Sequence, residues 1–144
     1  MSTRTGQCMC GAVRFTITDC PDSFGVCNCE MCRRWTGSSF LGMTVPVSNV
    51  SFSGEAQIAT LQSSDWAERA WCKRCGSALY YHATVPPGMD AYQIAVGALD
   101  DAEGLVFASE LFTDCRIPGV EYAGTRHGLT RAEVFAKYAP EATQ

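Results

Sequence analysis

No stretch of the sequence approaches the ~20 consecutive apolar residues that a membrane-spanning helix requires, so no membrane partner is expected. The opening Met1-Ser2-Thr3-Arg4-Thr5-Gly6-Gln7 has no apolar run either. It does not read as a signal peptide, and a cytoplasmic location is the expectation. Basic charge is also in short supply: 11 Lys and Arg against 15 Asp and Glu leave a net charge of -4. That argues against the basic stripe of a nucleic-acid-binding domain. The two histidines, His82 and His127, lie outside any motif, and no Cys–His nucleophile pair is marked, so a cysteine hydrolase is not expected. Repeats, linkers and low-complexity runs are missing as well. Residues 1–144 therefore read as a single domain, long enough to bury a core.

What the chain does have is cysteine, nine of them. In a reducing cytosol an odd number of thiols points to metal binding or thiol chemistry rather than to a disulfide framework. Seven fall into three short clusters: C-x-C at 8–10, C-x-C-x-x-C at 27–32 and C-x-x-C at 72–75. One C-x-x-C alone could be a pair of small buried hydrophobes. Three clusters, two followed directly by Gly11 and Gly76, point to zinc. Spacing leaves the grouping open, since any two clusters could pair or all seven thiols could share a dinuclear cluster. The simplest partition is four plus three, one closed site and one incomplete.

Hydrophobic patterning makes the rest of the chain rich in strands. Val13, Phe15 and Ile17 alternate with Arg14, Thr16 and Thr18, the period of a half-buried strand. In an extended chain Cys8 and Cys10 would face one side, as would Cys27 and Cys29. Residues 30–34 read as a short helix returning Cys32 to its partners. Further strands are expected over 24–27, twice within 39–53 with a break near Pro46, and over 57–61, 79–85, 91–98 and 105–112, while residues 66–71 lead into the last cysteine pair. Cys72-Lys73-Arg74-Cys75-Gly76 has the form of a zinc knuckle. Thr130-Arg131-Ala132-Glu133 is a capping box that opens a helix over about 130–139, with Pro140 beyond its end.

Gly6-Gln7-Cys8-Met9-Cys10-Gly11-Ala12-Val13-Arg14-Phe15, Cys27-Asn28-Cys29-Glu30-Met31-Cys32-Arg33-Arg34-Trp35-Thr36-Gly37, and Cys72-Lys73-Arg74-Cys75-Gly76 together resemble the glutathione-dependent formaldehyde-activating enzymes, the GFA or CENP-V domain family. Gly97-Ala98-Leu99-Asp100-Asp101 is similar to the family's Gly-x-Leu-Asp segment, and the resemblance spans about residues 6–112. It implies a mainly β, Mss4-like fold of small coiled β-sheets around zinc, here with a short C-terminal helix. It also implies two zinc ions per chain. Cys8, Cys10, Cys72 and Cys75 would hold a structural zinc, and Cys27, Cys29 and Cys32 a second, catalytic and more labile one. The family often has histidine where this chain has Asn28.

Three thiolates dull zinc as a Lewis acid towards water but suit a thiol substrate, whose free pKa of about 8.5 the metal would lower. The implied activity is that of a carbon–sulfur lyase acting on a glutathione–aldehyde adduct of the S-hydroxymethylglutathione type. Its partners would be glutathione and a small aldehyde, with Arg33 and Arg34 offered to glutathione's carboxylates. Trp35 reads as core and Asp100 as a turn residue at a strand end. Cys20 or Cys115 could complete the open site and make it purely structural. The alternative function is then a non-enzymatic, zinc-stabilised binding module, because fold does not fix function. Methionine sulfoxide reduction on a similar zinc-bearing β-fold would need Cys20 or Cys115 as the reactive thiol, and ranks lower.

Overall fold

A computed structural model of the chain describes residues 2–138. Along the sequence run β1 (Ser2–Gln7), β2 (Arg14–Cys20), β3 (Ser23–Cys27), α1 (Glu30–Thr36), β4 (Phe40–Pro46), β5 (Val50–Ser53), β6 (Ile58–Ser64) and β7 (Ala67–Cys72). They continue as β8 (Ala78–Ala83), β9 (Ala91–Ala95), β10 (Val106–Leu111), β11 (His127–Leu129) and α2 (Arg131–Tyr138). Within these residues no helix is long and apolar enough to cross a membrane. The architecture is mainly β with a short C-terminal helix, as the sequence leads one to expect.

The strands form two sheets. The smaller, ordered β1-β2-β5, is antiparallel. The larger is ordered β11-β10-β3-β4-β9-β8-β7-β6 and is antiparallel except at β10, which lies parallel to both β3 and β11. Alternation on β2 turns Phe15 and Ile17 inward, and β4 adds Met43 and Val45, all 3% exposed or less. The sheets meet through aromatics. Phe52 of β5 faces Phe15 across the small sheet at 6.0 Å between ring centroids and leans on Tyr80 and Tyr92 of the large sheet at 5.6 and 5.9 Å. Burying such rings contributes both apolar area and edge-to-face attraction. Where β5 leaves the small sheet, Gly54 has φ 77°, and a Cβ there would stand 1.9 Å from the Ala12 carbonyl oxygen. The loop carrying the first cysteine pair can pass only because that side chain is absent.

A second core gathers beneath α1: Cys29, Cys32, Phe40, Ala95, Phe112 and Val134. Val134 and Phe135 come from α2, and the Phe135 ring meets Phe112 edge-on at 5.8 Å. The capping box closes in both directions, Thr130 Oγ1 accepting from the Glu133 amide at 3.3 Å and Glu133 accepting from the Thr130 amide at 3.0 Å. The helix thus covers the core that contains the central cysteine motif. The expected helix end at Ala139 and Pro140 lies outside the described residues. Strand β11, three residues long, has too little alternation to be read from sequence.

Candidate metal centre

Cys8, Cys10, Cys72 and Cys75 bring their sulfurs within 4.8 Å of one another. The first pair does not lie on an extended strand. Met9 and Cys10 form a turn, the Gly11 amide bonds back to the Cys8 carbonyl at 3.1 Å, and Gly11 takes φ 79°. The turn sets the two sulfurs 3.6 Å apart, a convergence that strand pleating would not give. The second pair is a knuckle: the Gly76 amide bonds the Cys72 carbonyl at 2.7 Å with φ 80° at Gly76. Ser77 ties the halves together. Its hydroxyl accepts from the Met9 amide at 2.9 Å and lies 3.1 Å from the Cys75 sulfur. The Ser77 contact is also the leading reason why the Cys75 thiol is held down to about 5.

Cys27, Cys29 and Cys32 form a second group, again with all sulfurs within 4.8 Å. Cys27 ends β3, and Cys29 takes the N-cap position of α1, where its sulfur accepts from the Cys32 amide at 3.3 Å. A sulfur therefore does what a serine oxygen usually does at that position. Gly37, with φ 81°, closes the helix by donating its amide to the Arg33 carbonyl at 2.9 Å. The Cys27 thiol is pushed well above its ordinary range, first by hydrogen bonding to Cys29 and Cys32 and then by burial. For Cys32 the contact with Cys27 lowers the value, but the contact with Cys29 and burial prevail and push it up to about 11. Raised in this way, the Cys27 and Cys32 thiols keep their protons unless a cation replaces them. All-thiolate donor sets of three and four at these separations suit zinc.

Two buried polar residues surround the second group, and sequence reasoning passed over both. Arg69 on β7 is 5% exposed and donates to the Cys32 sulfur at 3.4 Å and to the Ser63 hydroxyl at 3.2 Å. Its guanidinium carbon lies 5.0 Å from the Trp35 ring centre and 5.2 Å from that of Tyr81. The available signal was strand parity, since Arg69 shares a face with fully buried Ala67. Glu110 on β10 is 1% exposed and accepts from Asn28 Nδ2 at 2.9 Å. Asn28 in turn accepts from the Ser39 hydroxyl at 2.6 Å and the Tyr122 hydroxyl at 3.4 Å. Arg116 forks onto both Glu110 oxygens, and Arg126 reaches Oε1 at 3.2 Å. Burial works to raise the Glu110 pKa, but the bonds from Arg116, Asn28 and Arg126 prevail and hold the carboxyl below its usual range. The position where the family often has histidine is thus locked on both sides of its amide.

The remaining candidates are dispersed. Arg33 and Arg34 lie on the exposed side of α1, with Arg34 paired to Glu30 at 2.6 Å. Trp35 is half-buried against Phe40. Asp100 is exposed and accepts from the Thr5 hydroxyl at 2.6 Å, joining the small sheet rather than either cysteine group. Cys20 is buried against the Met43 sulfur at 3.5 Å. Cys115 borders the second core without joining the three-sulfur group. His82 lies 3.3 Å from Glu68 and 2.8 Å from the Met89 carbonyl, and His127 is exposed on β11, so neither joins a group.

Comparison with known proteins places this arrangement. The family described as "Glutathione-dependent formaldehyde-activating enzyme" matches residues 3–115. An uncharacterized lyase of Schizosaccharomyces pombe is 28% identical, over 90% of this chain and 93% of that one. A putative glutathione-dependent formaldehyde-activating enzyme of Halomonas elongata is 34% identical, over 52% of this chain and 53% of its own length. Among solved structures, a Rhodobacter sphaeroides protein aligns with a TM-score of 0.55 at 24% identity. The alignment covers 67% of this chain and 87% of that one, a likeness of fold.

Proposed function

The chain belongs to the glutathione-dependent formaldehyde-activating enzyme family, and from that premise we propose that it is a zinc-dependent carbon–sulfur lyase. It makes and breaks the bond between glutathione and formaldehyde or a related small aldehyde. The observation that carries this reading is the unequal pair of cysteine groups, four donors in one and three in the other. A four-thiolate set closes a tetrahedral ion and stabilises the fold, whereas three protein donors leave a coordination position for an outside ligand. Zinc held by Cys27, Cys29 and Cys32 would supply the positive charge that keeps a thiol ionised near neutral pH.

The chain's own residues have separable tasks. Cys8, Cys10, Cys72 and Cys75 would hold the structural zinc. The Cys32 amide keeps the Cys29 sulfur turned toward its two partners. Arg33 and Arg34, exposed on α1 next to the motif, suit the two carboxylates of glutathione. In the synthetic direction glutathione's sulfur bonds to the carbonyl carbon and the carbonyl oxygen gains a proton; lysis reverses both changes. Holding thiol and aldehyde together removes the entropy of a bimolecular encounter.

Zinc stoichiometry and adduct exchange test the reading together. Wild type should carry about two zinc ions per chain and accelerate exchange between formaldehyde and S-hydroxymethylglutathione in NMR exchange spectra. Cys29→Ser should retain the structural ion, lose the second and lose the acceleration. Wild type holding a single zinc, or a protein side chain found as fourth ligand of the second, would overturn the enzyme reading in favour of a binding module.

A further inference from the structure

Arg69 is a buried cation beside the second core, and among the described residues no ion pair neutralises it. Among the described residues the ion pairs involve Arg14, Arg34, His82, Arg116 and Arg126, but not Arg69. At 5% exposure an unpaired guanidinium carries a large desolvation cost. Its guanidinium lies against the rings of Trp35 and Tyr81, its Nε donates to the Ser63 hydroxyl, and Nη1 is directed at the Cys32 sulfur at 3.4 Å. Of these contacts, the Cys32 sulfur is the one that belongs to a candidate metal-binding group.

Charge counting gives this contact its consequence. A divalent ion under three thiolates leaves one negative charge in a low-dielectric core. An anionic thiol arriving as fourth ligand would double it. The Arg69 guanidinium cancels the first of these charges, so the incoming thiolate brings the cluster only to a single negative charge. We propose that Arg69 is a positioning residue that orients the Cys32 sulfur and balances the charge of the three-cysteine centre, fitting it to retain a divalent metal and to accept an anionic sulfur ligand. The inference rests on the metal reading of that centre given above. Outer partners of this kind typically change metal affinity by about 10- to 100-fold when removed.

The test compares Arg69→Met, which keeps an unbranched stem without charge, with Arg69→Lys, which keeps the charge without the planar fork. Each protein is titrated with a chromogenic chelator to obtain the affinity of both sites. Each is then loaded with cobalt, and the sulfur-to-cobalt charge-transfer band is followed as glutathione is added. Arg69→Met should retain the four-cysteine ion and its thermal transition while binding the second metal at least about 10-fold more weakly. Its glutathione affinity should fall as well, and Arg69→Lys should recover much of both. If Arg69→Met does not fold, Arg69→Gln replaces it, since its amide can still serve the Ser63 hydroxyl without the charge. Two metals in wild type, with a neutral variant holding the second within twofold and binding glutathione equally, would overturn this inference alone. A single metal in wild type would overturn the lyase reading and this inference together.

Discussion

Glu110 carries its charge at 1% exposure and answers two arginines and Asn28 at once. Replacing it by Gln removes the counter-charge from Arg126, whose side chain is 7% exposed, and from Arg116, which still reaches water. Glu110→Gln should therefore cost about 3 kcal/mol, the low end for breaking a buried pair. The pH dependence follows from the depressed carboxyl. Stability from Glu110 is fully present above the unfolded carboxylate value of about 4.3 and is lost as pH falls through the lower folded value. Urea midpoints measured from pH 7 to pH 3 should show a steeper acid-side loss in wild type than in the variant. Single residues of this sort were the least legible part of the sequence. The Asn28–Glu110 bond spans 82 positions and the Arg69–Cys32 contact 37, and no local spacing rule reaches so far. Asn28 was visible only as a departure from a familial histidine, without the carboxylate that explains it.

Elements announced themselves where their signals are local. The alternation of Val13, Phe15 and Ile17 and the capping box at Thr130 are both realised. The turn at Met9 and Cys10 was misread as extended because C-x-C at period two imitates a strand, while Gly11 at positive φ was the real indicator. Helix α2 shows how a local signal can report on a distant site. Its first turn depends on Thr130, and its buried face packs on Phe112 and the core around Cys29 and Cys32. Thr130→Ala should lower stability by about 1 kcal/mol, a few degrees of melting temperature in calorimetry. Amide exchange should quicken first along α2 and next in α1, because both rest on the same buried group.

Across the whole molecule the two cysteine groups do different structural work. The four-cysteine group joins the β1–β2 turn to the β7–β8 turn, with Cys10 and Cys72 separated by 62 positions. Closing so long a loop would restrict the unfolded chain heavily, and an ion closed there would contribute folding energy outright. Cys72→Ser should abolish cooperative unfolding by circular dichroism, whereas Cys29→Ser should keep it with a lower midpoint. A strong chelator added to wild type should remove metal in two phases, with the far-ultraviolet signal holding through the first and collapsing with the second.

The placement of β10 between β3 and β11 also has a consequence in time. Cys27, Cys29 and Cys32 are synthesised well before Cys72 and Cys75, so the three-sulfur loop is the earlier set to exist as chemistry. Yet the carboxylate that fixes Asn28 is at Glu110, and a guanidinium that holds that carboxylate is at Arg126. At about 5–20 residues per second, the ribosome delivers the last thiol of the four-cysteine group seconds before it delivers those supports. The thiols of the cluster made first thus wait longest for the residues that hold them. A metal ion meeting the nascent chain would find all four thiols of one group already made, and the three-thiol loop still without the residues that hold it.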